Sequence, residues 1–278
     1  MRAREESIDE SPGRVNTSDM STRRKASHAT QDKEFMATLA KGLAVLGAFG
    51  RQRPAMTLSE AAVAVDLSRA TARRVLRTLT ALGYVEQNGR AFSLSPRILD
   101  LGFAYLSAQN WVDRALPLLK DLSERLGESC SAAILQGTEI VYVARIPARR
   151  IMSTAITVGS RLPAFHTALG RVQLGFLEDA EIWRRLKSMR VEPYTPYTII
   201  DVQALYERIR ADNEQSFSIV DEELEQGLRA MAVAVVDRAG QAVGAINLST
   251  HATRITRNEM RERFLPELKR VAEQLAQA

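Results

Sequence analysis

Cysteine, histidine and long apolar runs are scarce in these 278 residues, and each shortage excludes something. The single cysteine, Cys130, leaves no intramolecular disulfide framework and points to a reducing compartment. Its apolar neighbours suit an inert core thiol rather than a nucleophile. Three histidines, His28, His166 and His251, lie far apart without metal-ligand spacing, so no metal or cofactor is expected, and His166 reads as a cap or packing residue. No apolar run approaches the ~20 residues of a membrane span, and the N-terminus has no hydrophobic signal core. The chain is therefore expected in the cytoplasm, without membrane contact. Acids, too, are missing from one stretch: no Asp or Glu occurs between Leu67 and Val85.

That stretch contains residues 68–82, SRATARRVLRTLTAL, around which the chain is organised. At about 100° per residue, Ala72, Val75, Leu76, Leu79 and Leu82 gather on one side of a helix, while Arg69, Arg73, Arg74 and Arg77 occupy much of the other. Arginines outside an amphipathic helix are ordinary, but these lack the i,i+4 acids that would neutralise them, so the face attracts phosphate. The net charge of +5 permits such a partner, and its localisation makes it informative. With 45% hydrophobic residues, the chain has apolar material for two cores.

Residues 1–32 are polar and lack apolar periodicity, which implies a disordered arm; its Arg23-Arg24-Lys25 cluster is a solvated tail within reach of phosphates, and Met20 is an alternative start. Phe35, Leu39, Leu43, Leu46 and Phe49 then recur at helical spacing. Thr57-Leu-Ser-Glu60 is a capping box opening a small-residue helix, Asp66 takes a turn position that wants a left-handed residue, and Ser68 caps the arginine helix. Two short helices so joined form a helix-turn-helix, whose second helix enters the major groove. Tyr84 to Leu94 is a hairpin around Asn88-Gly89, placed as a wing. The major-groove candidates are Arg69, Thr71, Arg73, Arg74 and Arg77, while Asn88, Arg90 and Arg97 are expected at the backbone or minor groove. Residues 33–95 thus read as a winged helix-turn-helix domain for a double-stranded DNA operator. Ser95-Pro96 restarts a largely apolar helix, a linker over residues 96–111 that also pairs with a second subunit.

Residues 112–278 alternate strands and helices in an α+β arrangement. An amphipathic helix is expected over 116–126, strands over 129–135, 139–146, 151–158, 229–236 and 242–249, and helices over 167–177, 180–189 and 202–215. Thr256-Arg-Asn-Glu259 caps a terminal helix. Gly159 to Gly170 is a loop entering a helix whose first turn is Thr167-Ala168; a helix start of that kind is an anion site, to which Thr167, Ser160 and Arg161 add donors. An ordinary loop-to-helix junction reads the same way. Ala230, Met231, Asn247 and Ser249 place small and polar side chains in otherwise apolar strands, as pocket walls and strand ends both do.

From Phe35 to Leu275 the sequence resembles the IclR family of bacterial transcription regulators, through LSEAAVAVDLSRATARRVLRTLTALGYV, FSLSPRILDLG, LPAFHTALGRVQLGFL and GLRAMAVAVVDRAGQAVGAINLST in that order. The resemblance implies a winged DNA-binding domain, a linker helix and a GAF-like effector domain, assembled as homodimers often paired into homotetramers. It also implies a small carboxylic-acid effector in a pocket of Met152, Thr167, Ala168, Leu228, Ala230, Asn247 and Ser249. Ala230 and Asn247 depart from the Cys and Ser common in glyoxylate- or pyruvate-responsive members, and Val220 replaces an acid. SRATARRVLRTL with GSRLPAFHTALGRVQL looks more like the branch governing protocatechuate, 4-hydroxybenzoate and β-ketoadipate catabolism, which implies an aromatic or dicarboxylic acid complemented by Arg161. The alternative effector is another small acid such as glyoxylate or pyruvate.

An enzyme acting on a small acid is a competing class, and an architectural DNA-binding protein without a ligand is another. Against the enzyme stand the missing metal cluster, the missing G-x-S-x-G elbow, and the lack of a nucleophile with a paired base. The expectation is a regulator in which ligand favours one arrangement of linker and DNA-binding domains over another.

Overall fold

A computed structural model describes residues 34–148, 156–189 and 191–276, which form two compact units divided between Gly102 and Phe103. The expected N-terminal arm and Met152 lie outside the described residues.

The first unit is built from α1 (Ala37–Gly47), β1 (Ala55–Thr57), α2 (Leu58–Ala64), α3 (Arg69–Ala81), β2 (Val85–Asn88) and β3 (Ala91–Leu94). Local chemistry sets the boundaries. The Thr57 hydroxyl accepts the Glu60 N–H at 3.3 Å while the Glu60 carboxylate accepts the Thr57 N–H at 2.7 Å, closing the capping box. Asp66 turns the chain with φ 52°, and the Ser68 hydroxyl accepts the Thr71 N–H at 3.2 Å to start α3. Val75, Leu76 and Leu79 of α3 meet Val45, Phe49, Met56, Ala61, Val85 and Phe92 in one core, and Ala72 is buried as well.

Several details differ from the sequence reading. Leu82 is exposed because α3 ends at Ala81 and the chain leaves the buried stripe there. The buried residues of α1 and its exit are Val45 and Phe49, whereas Phe35, Leu39 and Leu43 are exposed, since no described residue of this unit covers the start of the helix. Strand β1, which the periodicity does not predict, pairs with β3 so that Met56 faces Phe92, giving the sheet order β1-β3-β2. The wing turn falls one residue later than Asn88-Gly89. Asn88 pairs with Ala91, which makes Gly89 and Arg90 central; Gly89 has φ +59° at the first central position, where a type II′ turn requires glycine.

Helix α4 (Ile98–Ser107) crosses the division and is followed by α5 (Asn110–Leu126). The second unit continues with β4 (Ser129–Gln136), β5 (Glu139–Ile146), β6 (Arg161–Pro163), a 3₁₀ turn (Ala164–His166), α6 (Ala168–Leu174), α7 (Asp179–Ser188), α8 (Val202–Gln215), β7 (Ser218–Asp221), β8 (Leu228–Val236) and β9 (Ala242–His251). At its end Arg257–Glu259 leads through a π-helical turn, Met260–Phe264, to α9 (Leu265–Ala276). Helix α5 starts well before residue 116 because Pro117, which usually marks a first turn, sits inside the helix here. Strands β6 and β7 have no counterpart in the sequence reading. Of the strand expected over 151–158, residues 156–158 are not strand and the rest lie outside the described residues.

The six strands pair antiparallel in the order β6-β5-β4-β9-β8-β7. Their alternation gives the sheet two apolar faces. Met231, Val233, Val235, Ile246 and Leu248 pack with Trp111, Leu119 and Leu122 of α5 and with Leu268 and Val271 of α9. Ala232, Ala245, Ile140 and Tyr142 belong to the other core, with Leu169 of α6, Ile182 of α7 and Leu205 of α8. Cys130 is buried on β4, and burial pushes its thiol up to about 12, which keeps it protonated and unreactive.

Candidate nucleic-acid face and ligand cavity

Packing the apolar stripe of α3 inward turns its cations outward. Arg69, Arg73, Arg74 and Arg77 are exposed, and among the described residues none of them has an ion-pair partner. Thr71 is half-buried, its hydroxyl 2.9 Å from that of Ser68. Asn88 and Arg90 are exposed at the tip of the wing. This is one helix face and one hairpin tip with uncompensated positive charge, the arrangement that releases counterions when it meets phosphates. Arg97 differs from the expectation: its guanidinium donates to the Leu82 carbonyl at 2.7 Å and lies 5.2 Å from the centre of the Tyr84 ring. It ties the end of α3 to the start of the wing.

In the second unit a cavity opens on the sheet face that carries α6. Its walls are Tyr142 and Arg145 of β5, Ile156, Leu162, the corner from His166 to Leu169, Val220, Leu224, Leu228, Ala230, Asn247 and Ser249, together with Ser129. Strand register explains part of this company. Asn247 lies opposite Ser131, and Ser131 opposite Arg145, so three neighbouring strands present these side chains on one face. Arg145 makes one long contact, 3.4 Å from Nη1 to Ser131 Oγ.

The buried polar groups of this cavity are unevenly served. Asn247 donates from Nδ2 to Ser249 Oγ at 3.1 Å, while its Oδ1 has no hydrogen-bond partner among the described residues. His166 is only 1% exposed, and neither ring nitrogen has a partner among the described residues. Its ring stands edge-on to Tyr194 with centroids 5.6 Å apart. Burial, reinforced by the charge of Arg171, lowers the His166 pKa to about 4, so the ring is neutral at pH 7. Arg171 is itself fully buried, paired in a two-pronged bond with Glu223 and donating to the Phe165 carbonyl at 2.7 Å. Its charge is spent on holding this corner together.

Of the pocket residues read from the sequence, the structure brings Thr167, Ala168, Leu228, Ala230, Asn247 and Ser249 around the cavity. Ser160 and Arg161 are not on its walls. Ser160 Oγ accepts the Thr157 N–H at 2.9 Å in a tight turn, and Arg161, on the edge strand β6, pairs with Glu139 at 3.1 Å and with Gln136 at the surface. The Thr167 hydroxyl accepts the Gly170 N–H at 3.2 Å and donates to the Ala164 carbonyl at 3.3 Å, so α6 is capped from within instead of offering that hydrogen to a ligand. Gly170 is required there, since a Cβ would sit 2.1 Å from the Ala164 carbonyl oxygen.

The family description for the C-terminal domain of bacterial IclR transcriptional regulators matches residues 103–277, and that for the IclR helix-turn-helix domain matches residues 38–89. The chain belongs to the IclR family. This IclR-family regulator is 40% identical over 238 residues to the Pca regulon regulatory protein of Pseudomonas putida, covering 85% of this chain and 82% of the relative. It is 31% identical over 255 residues to the p-hydroxybenzoate hydroxylase transcriptional activator of Acinetobacter baylyi, covering 90% and 94% of the two chains. The inducer-binding domain of the Acinetobacter PobR transcription factor, a double mutant in complex with 3-hydroxybenzoic acid, matches with a TM-score of 0.56 at 28% identity, over 59% of this chain and 96% of that one.

Arg145 and His166 are among the cavity residues of this IclR-family chain that escape sequence reasoning. Arg145 lies in Tyr142-Val-Ala-Arg-Ile146, where alternation assigns it a face but not what that face meets. His166 carried a signal: between Val158 and Leu177 there is no acid to pair with it, and it immediately precedes the Thr167 cap.

Proposed function

We propose that this regulator controls an operon of aromatic-acid catabolism, of the protocatechuate, 4-hydroxybenzoate or β-ketoadipate type, and that the cavity of the second unit takes its effector. The observation that carries this reading is the 40% identity to a Pca regulon regulatory protein over 85% of the chain. The chemistry of the cavity agrees with it. Among the described residues the walls are mostly apolar, Arg145 supplies one cation, and no carboxylate, thiol or lysine lines them, which suits reversible binding of a small organic anion rather than catalysis.

On the DNA side, α3 enters the major groove with Arg69, Thr71, Arg73, Arg74 and Arg77, and the wing sets Asn88 and Arg90 against the backbone or minor groove. The regulator acts in the cytoplasm on double-stranded DNA as a homo-oligomer. Exposed Met36, Leu39 and Leu43 at α1, and Leu99 and Phe103 on α4, are the apolar surfaces that a second copy covers.

The test is thermal stability of the purified protein with protocatechuate, 4-hydroxybenzoate, β-ketoadipate, glyoxylate and pyruvate, followed by operator binding with whichever acid shifts it. A ligand at a hundredfold excess over Kd stabilises the fold by about 2.7 kcal/mol. We expect an aromatic acid or β-ketoadipate to raise Tm and alter operator binding. A response confined to glyoxylate or pyruvate rejects the effector class and leaves the regulator in place.

A further inference from the structure

The end of α3 is fastened to one short segment of the chain. Past Leu82 the backbone turns at Gly83, φ +79°, where the Tyr84 N–H donates to the Leu79 carbonyl and the Gly83 N–H to the Thr80 carbonyl, each at 3.0 Å. This glycine-terminated stop serves carbonyls inside the helix and leaves the following ones to other partners. Residues 95–97 supply them. Arg97 Nη1 donates to the Leu82 carbonyl at 2.7 Å, the Ser95 hydroxyl donates to that of Gly83, and the Ser95 N–H donates to that of Tyr84 at 2.9 Å.

The same segment begins α4. The Ser95 hydroxyl accepts the Arg97 N–H at 3.3 Å and the Ser95 carbonyl accepts the Ile98 N–H at 3.2 Å, so the turn that closes one helix opens the other. Ser95 is buried, which keeps its hydroxyl between the two. Arg97 is exposed, yet its guanidinium has a place: the Leu82 carbonyl, the Tyr84 ring 5.2 Å away, and Gly83, where a Cβ would stand 3.2 Å from Nη1. The negative end of the α3 dipole favours a cation at that point.

We propose that Ser95 and Arg97 form a joint that makes the end of α3 and the start of α4 one rigid piece, and that Arg97 is a positioning residue for operator readout. It acts through the angle of α3 and not through a phosphate. This rests on α3 being the helix that reads bases. A displaced helix still reaches phosphates with long, flexible side chains, but it loses two-pronged base contacts, whose geometry is strict. The joint also means that a rotation of α4 is delivered to α3 instead of being absorbed between them.

Fluorescence anisotropy of the full-length protein tests this, on the duplex it selects most strongly from a random pool and on a shuffled duplex, each over a range of salt concentrations. Arg97→Ala should lower the ratio of the two affinities roughly 10-fold, the discrimination carried by one good base contact, and leave the salt slope on the shuffled duplex unchanged. Arg97→Met keeps the stem without the bond; it should behave alike, and it carries the test if the Ala variant does not fold. Arg97→Lys, which returns a cationic donor to the end of α3, should recover most of the ratio. A slope lower by about one, with equal loss on both duplexes, makes Arg97 a phosphate contact and overturns the proposal. An unchanged ratio in an Ala or Met variant shown by its melting curve to be folded overturns it too, as does a Lys variant no better than Met. Arg73→Ala in the same assay separates the two readings. If it leaves the ratio intact, α3 is not the reading helix and both fall; if it lowers the ratio while the Arg97 variants do not, only the joint falls.

Discussion

Burial removes from His166 the proton that an exposed imidazole takes up in mild acid. Desolvation is the larger cause and the Arg171 charge the smaller, and together they bring its pKa from 6.5 to about 4. Between those values the unfolded chain binds a proton that the folded chain refuses, so stability rises with pH across the window and is lost as acid is added. The full loss, reached below the folded pKa, is about 3 kcal/mol. His166→Gln should remove this contribution. Urea denaturation of both proteins from pH 7 to pH 4.5 checks it: the difference in stability between them should narrow or invert as pH falls, and parallel profiles would show that another group titrates. The neighbouring Arg171 illustrates the opposite outcome of burial. It keeps its charge because Glu223 supplies a matched partner, whereas nothing equivalent faces the imidazole.

At the level of elements, we propose that helix α3 and the wing carry the same kind of side chain to different ends. A helix seated in the major groove brings its side chains to base edges, and a hairpin tip beside it reaches phosphates. Arg73→Ala should therefore relax site preference, while Arg90→Ala should weaken binding to all sequences and lower the salt dependence by about one counterion. Electrophoretic mobility shifts on operator and unrelated duplexes at several salt concentrations separate the two. An equal loss of preference in both variants contradicts the assignment. Arg97 belongs to neither group, because its bond to the Leu82 carbonyl makes it part of the frame that holds α3 against the wing. The corner before α6 is likewise a framed element: Gly170 packs directly on the Ala164 backbone, and the Thr167 cap and the Arg171 pair hold the turn that delivers His166 to the cavity.

For the molecule as a whole, regulation requires the ligand to distinguish between two arrangements, since equal affinity for both shifts nothing. We propose that assembly supplies such arrangements, on the exposed apolar side chains of α1 and α4. Leu39 and Leu43 are each 58% exposed, more than a solvated helix needs to leave apolar on one side. Changing both to Lys should lower the particle mass toward that of a single chain in sedimentation at micromolar concentration, with cooperative melting retained. An unchanged mass would locate the oligomer contact elsewhere.

How far the sequence speaks follows from the range of the interactions involved. The capping boxes at Thr57 and Thr256, the left-handed Asp66 and the arginine face of α3 are set by residues within a few positions of one another, and a linear reading finds them. By itself, then, the sequence determined the helix-turn-helix, the wing, and the small and polar positions of β8 and β9. Only the tertiary structure decided which cation meets the cavity. Arg161 sits on an edge strand beside Glu139 and is neutralised at the surface, while Arg145 reaches the cavity through a register that aligns β5, β4 and β9, residues about a hundred positions apart. The same holds for His166, whose local sequence suits a cap and whose lack of partners is a property of everything folded around it. Pairing across a sheet, like burial, depends on distant parts of the chain, and no short window of sequence contains it.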